Sequence, residues 1–222
     1  MLKRISILVL FLFTLFSFLP QTTLAVSPVT GHKIVIDAGH GGTDFGSTAC
    51  STLTEADASL QIANKLKTLL ETDVAIVGMT RTDNSYKSNN DRYTFANNFD
   101  GEALVSVHLN GSTNPSTNGT QGLYGKLNKD KAFTQVVHAR LASELGVPDL
   151  GVTNFASGVL LKANMSATIQ ETVFISNTNE CTLLSDNTGI RQQQVAQSLY
   201  NGLIDWFAQP QPTPTPKPGK NR

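Results

Sequence analysis

Charge is scarce in this 222-residue sequence: Asp, Glu, Lys and Arg together make up 15% of it, and the formal net charge is zero. No stripe of basic residues appears, which argues against nucleic acid as a partner, because phosphate backbones are gripped by clustered Lys and Arg. Cysteine is almost missing. Cys50 and Cys181 are the two present, and they form no C-x-x-C spacing, which argues against a cysteine-built zinc site. In an exported chain they would either pair across a long loop or stay as two free thiols, and spacing alone leaves both open. No internal repeat is visible. The glycine-rich turn at 39–46 lacks the G-K-[ST] of a phosphate loop, and Asp44 stands where a dinucleotide fingerprint needs its third glycine.

Long apolar runs are also missing, apart from one at the start. Lys3 and Arg4 precede ISILVLFLFTLFSFL (5–19), followed by QTTLA with Thr23 and Ala25 at the small positions of a cleavage site. This is the pattern of a secretory signal peptide over 1–25. The competing membrane anchor needs about 20 apolar residues to span a bilayer. A secreted or cell-envelope protein without stable membrane insertion is therefore expected. At the other end, QPQPTPTPKPGKNR (209–222) alternates proline with small polar residues and reads as an extended tail or linker. Between them, residues 26–208 carry 12 Lys and Arg against 17 Asp and Glu, a net −5, and suffice for one domain with its own core.

Within that body, short β-branched runs alternate with amphipathic stretches. Strands are expected over 33–38 (KIVIDA), 74–81, 103–110 (ALVSVHLN), 158–162 and 167–175. Helices are expected over 55–71, where Leu60, Ala63, Leu66 and Leu70 share a face, and over 91–99, 130–146 and 189–207. The segment 111–122 reads as a loop. The fold class that follows is α/β: a single domain with a mostly parallel twisted sheet and helices on both faces. A monomer is expected.

Sites in such sheets gather beyond the carboxyl ends of strands. His40 follows the first strand among Gly39, Gly41 and Gly42, which leave room for an ion or substrate to approach. His108 lies near the end of the third. Glu171 falls within an apolar strand, where a lone carboxylate is costly to bury. Glu55 has two readings, because TLTE (52–55) fits the capping-box pattern S/T-x-x-E. His32 and His138 read as ordinary structural histidines.

DAGHGG, TE opening a helix, TR followed by DR and AN, SVHLNG and QETVFISN-x-x-E occur in that order across almost the whole body. This series resembles the zinc-dependent N-acetylmuramoyl-L-alanine amidases of the amidase-3 type. The resemblance implies zinc held by His40, Glu55 and His108, with Glu171 as the catalytic glutamate. It also implies peptidoglycan as substrate, cut at the amide between N-acetylmuramic acid and L-alanine. Two imidazoles and a carboxylate fill three corners of a tetrahedral zinc and leave the fourth for water. Asp37 and Asn110 are candidates to orient the histidines. Arg92 either meets a stem-peptide carboxylate or pairs with Asp83 or Asp91.

Departures from the family pattern are specific. Ala38 and Phe45 replace two prolines around the first histidine, and Ser166, Gln170 and Val173 replace a proline, an aliphatic residue and a glycine around Glu171. They motivate an alternative expectation, a catalytically weak amidase-like protein that binds peptidoglycan.

Overall fold

The computed structural model describes residues 26–210. The expected signal peptide and most of the proline-rich tail lie outside the described residues. Six strands form one sheet in the order β2-β1-β3-β6-β4-β5. They are β1 (Lys33–Ala38), β2 (Ile76–Met79), β3 (Ala103–Asn110), β4 (Thr120–Tyr124), β5 (Asp149–Asn154) and β6 (Ser166–Phe174). All neighbouring pairs are parallel except β4 with β6. The helices are α1 (Glu55–Thr72), α2 (Asn89–Phe99), α3 (Lys131–Glu144), α4 (Gly158–Lys162), α5 (Thr178–Leu184) and α6 (Ile190–Ala208). The α/β class and mostly parallel sheet expected from sequence are what is found. No helix among the described residues is long and apolar enough to cross a membrane.

Strand alternation divides the core in two. Ile34 and Ile36 of β1 and Val105 and Val107 of β3 face one side, where they meet Ile62 and Leu66 of α1, Phe133 and Val137 of α3, and Leu199 of α6. Val35, Leu104, Ala167 and Ile169 face the other, covered by Ala96 of α2 and by Val159 and Leu160 of α4. On this second, thinner side the strands turn from apolar to polar toward their carboxyl ends. Val35 gives way to Asp37, Leu104 to Ser106 and then His108, and Ile169 to Glu171. Because β1, β3 and β6 run parallel, all these polar residues come to the same end of the sheet.

Several local readings change or are resolved. Residues 158–162 form α4 rather than a strand; GVLLK is too short for its periodicity to separate the two. β4 begins inside the segment read as a loop, and β5 and α5 went unpredicted. The cap of α1 is Thr54, whose side chain accepts from the Asp57 amide, so Glu55 is the first helical residue and not the third of a box begun by Thr52. Cys50 and Cys181 pair, with their Cα atoms 5.4 Å apart at a sequence separation of 131.

Candidate functional site

The carboxyl ends of β1 and β3 and the start of α1 enclose a cleft of about 510 Å³. His40 sits in the turn after β1 with φ 58°, a left-handed conformation that few side chains adopt without outside support. That support comes from two buried arginines. Arg92 of α2 donates from Nη2 to the His40 carbonyl at 2.7 Å, and from Nη1 to the Ala38 carbonyl and to Asp37 Oδ1, both at 2.7 Å. Arg81, just after β2, donates to the carbonyls of Ala38, Gly39 and Ala56. The TR and DR pairs of the sequence thus supply a splint for the turn. Arg92 pairs with Asp37, and neither Asp83 nor Asp91 is its partner.

Glu55 lies where the two histidines meet. Its Oε1 is 3.0 Å from Nε2 of His40 and 3.1 Å from Nδ1 of His108, and it accepts from the Leu109 amide at 3.1 Å. Its Oε2 accepts from the Ser47 amide at 2.9 Å. The two imidazoles stand edge to face, with ring centres 4.8 Å apart. The opening glycines make this approach sterically feasible. A Cβ on Gly39 would lie 2.5 Å from Nε2 of His108, and one on Gly46 would lie 2.6 Å from both Glu55 Oε2 and His40 Cδ2.

The chemistry of this donor set suits a divalent cation. One ligand atom each from His40, Glu55 and His108 lies within 4.8 Å of the others. Nδ1 of His40 is 2.9 Å from Asp44 Oδ1, an acceptor that would keep a proton on Nδ1 when Nε2 gives up its own to a metal. Two imidazole nitrogens and a carboxylate oxygen are the ligand types of a catalytic zinc site with an open fourth position. Burial alone would lower the His40 pKa, but Glu55 and then Asp44 outweigh it and raise the imidazole to about 9. Burial opposes the charged form of His108 as well; the hydrogen bond to Glu55 and the charge of Glu171 bring its pKa up. Glu55 in turn is held far below the carboxylate range by both histidines, against the effect of its own burial.

Glu171 stands beside this group. It pairs in register with His108 across β3 and β6 and lines the same cleft. Burial raises its carboxyl, the His108 charge lowers it, and the Glu55 charge raises it again, leaving it above the ordinary value. Just beyond, the register slips: β3 advances from His108 to Asn110 while β6 advances from Glu171 to Phe174. This bulge turns Val173 back into the core shared with α1, α3 and α6. Gln170 also faces away from Glu171 and donates to Thr168 Oγ1 at 2.8 Å. The side chains of Gln170 and Val173 therefore lie on the other face of the sheet from Glu171.

The remaining candidates take other positions. Asp37 accepts from Arg92, Thr80 and Ser106, with no hydrogen bond to either histidine. Asn110 lines the cleft but accepts from the Gly111 amide. The residue that holds His40 is Asp44, which the sequence reading passed over. Its signal was there, four positions after His40 in the same turn. His32 bonds Glu102 and His138 bonds Asp149, each at 2.7 Å, in keeping with structural roles. The loop at 112–119 is tied to α5 through Pro115 and Asn118.

Residues 34–205 match the family model described as N-acetylmuramoyl-L-alanine amidase. The chain is 27% identical over 184 residues to N-acetylmuramoyl-L-alanine amidase LytC of Bacillus subtilis, covering 82% of this chain and 36% of that one. It is 29% identical over 188 residues to the probable cell wall amidase LytH of Staphylococcus epidermidis, covering 84% of this chain and 62% of the relative. The chain thus spans between about a third and two thirds of these relatives' lengths. Among solved structures, the N-acetylmuramoyl-L-alanine amidase from Clostridium difficile 630 superposes with a TM-score of 0.74 at 33% identity, covering 80% of this chain and 97% of that one.

Proposed function

The chain belongs to the N-acetylmuramoyl-L-alanine amidase family, and from that premise we propose that it is a zinc-dependent hydrolase of peptidoglycan. His40, Glu55 and His108 hold the metal and Glu171 moves the proton. The observation that carries this reading is the convergence of two imidazoles on one carboxylate oxygen, with Glu171 beside them in register. When bound, zinc supplies Lewis-acid chemistry, making a water acidic enough to attack near neutral pH and polarising the amide carbonyl.

The chain's own residues do the rest. Asp44 fixes the tautomer and ring orientation of His40. Glu171 accepts the proton of the attacking water as the oxygen bonds to the lactyl carbonyl carbon. It then delivers that proton to the L-alanine nitrogen as the C–N bond breaks, because an amine leaves poorly unless protonated. The raised Glu171 pKa suits a group that must both take and give a proton. The products are a lactyl carboxylate on muramic acid and a stem peptide with a free L-alanine amino terminus.

A mature chain that acts in the cell envelope or outside it, as a monomer, fits the cell-wall substrate, the apolar start at 5–19 and the disulfide. Digestion of purified peptidoglycan followed by mass spectrometry tests the reading. Stem peptides with free L-alanine termini, lost on chelation and restored by zinc, are expected. Release of acetate, or cleavage within the peptide, would contradict it.

A further inference from the structure

The cleft is acidic around the proposed metal ligands, with Asp44, Glu55 and Glu171 on its walls. Two of its cationic side chains come from one short stretch, Lys87 and Arg92. Arg92 is turned mainly into the protein: its three nitrogens donate to the Lys87, Ala38 and His40 carbonyls and to Asp37. Four of its five N–H donors are thus spent inside the protein, and its ion-pair partner is Asp37.

Lys87 is placed differently. Its carbonyl accepts from Arg92 Nε at 3.1 Å, so the guanidinium that holds the His40 carbonyl also holds the Lys87 backbone. Three residues earlier, Asn84 Oδ1 accepts from the Gly42 amide at 3.2 Å, which ties the same segment to the histidine turn. The backbone of Lys87 is thereby fixed relative to the reaction centre without using its side chain. Its ammonium forms none of the ion pairs within 4.0 Å found among the described residues, although Asp83 and Asp91 feel its charge. A lysine that is half-buried at an acidic cleft, with its backbone anchored and its ammonium in no ion pair within 4.0 Å among the described residues, is equipped to receive an anion.

We propose that Lys87 is a specificity-determining residue that binds a carboxylate of the stem peptide, the one on the residue following L-alanine. The proposal rests on the amidase reading of the site. Two extended residues span about 7 Å, so a carboxylate on the second stem residue stays near the cleft that Lys87 lines. A carboxylate entering a cleft walled by carboxylates needs a local cation to offset repulsion, and Lys87 lines the cleft with no ion pair of its own among the described residues.

The test uses two muramoyl peptides that differ only in whether the second stem residue carries a free carboxyl or its amide. Wild type, Lys87→Ala, Lys87→Arg and Lys87→Glu are compared for kcat and KM on both. Binding of both peptides is also measured by calorimetry in a Glu171→Gln background. Lys87→Ala is expected to lower the acid-to-amide ratio of kcat/KM about fivefold, through KM. Lys87→Arg should keep the wild-type ratio and Lys87→Glu should invert it, with the same order in the binding constants. Equal ratios in wild type and Lys87→Ala, or a loss of equal size on both peptides, would overturn the role of Lys87 while leaving the amidase reading intact. A binding preference for the acid that depends on Lys87, without cleavage of either peptide by the wild type, would uphold the carboxylate site and overturn the amidase reading.

Discussion

Asp44 Oδ1 lies 2.9 Å from Nδ1 of His40, on the side of the ring opposite Glu55. The same carboxylate oxygen accepts from the Gly46 amide, so Asp44 is held by the turn it stabilises. An imidazole is a good metal ligand only when its far nitrogen carries the proton and its plane is fixed, and Asp44 supplies both conditions.

Replacing Asp44 with Ala should therefore weaken zinc binding by about 10- to 100-fold while leaving the fold intact. Competition with a chromophoric chelator measures this directly. The carboxylate is half exposed and outside the core, so far-ultraviolet circular dichroism should be unchanged.

The disulfide closes a 131-residue separation and anchors the loop that precedes α1. That loop supplies the Ser47 amide and carbonyl that hold Glu55 at the helix start. Cys50→Ala with Cys181→Ala should cost about 4–5 kcal/mol by the chain-entropy argument. Urea unfolding of the double variant against wild type, both zinc-loaded, checks it; an unchanged midpoint would show that the loop is held by packing alone.

Asp37 predicts the acid behaviour. Burial opposes its charge, but the Arg92 guanidinium, the Ser106 and Thr80 hydroxyls and the Arg92 hydrogen bond outweigh this and keep its carboxyl below 3.8. A carboxyl lowered by folding contributes stability that is complete above its unfolded pKa and is lost as pH falls through the folded one. Asp37→Asn leaves Arg92 buried without its partner and should cost about 3–5 kcal/mol near neutrality. The gap between wild type and variant should narrow as pH falls below 3.8. Denaturant titrations of the metal-free proteins at about pH 7 and about pH 3 measure the gap.

Much of this was legible before the structure, for physical reasons that differ by residue. His40 stood out because glycines surround it just past the first strand, and His108 and Glu171 because they are polar residues within or at the end of apolar strands, where only a site or a hydrogen-bonded partner makes them tolerable. Glu55 was ambiguous because helix starts favour acidic residues for their own sake; only the tertiary placement of Thr54 as the cap frees its carboxylate. Asp44 was hidden by its turn, where Asp is common for local reasons. The partners of Arg92 and Asp37 are 55 residues apart in sequence, a distance over which no local pattern carries information. β5 was invisible because it is an exposed edge strand, DLGVTN, without alternation.

The central claim is that three side chains hold one metal and a fourth moves a proton without holding it. Zinc stoichiometry and kcat, measured together on wild type, Glu55→Ala and Glu171→Gln, test it most directly. The account predicts one zinc per chain in wild type and in Glu171→Gln. It predicts a fall in kcat of about 10²- to 10⁴-fold in Glu171→Gln, and loss of both metal and activity in Glu55→Ala. Full activity in Glu171→Gln, or undiminished zinc in Glu55→Ala, would contradict it.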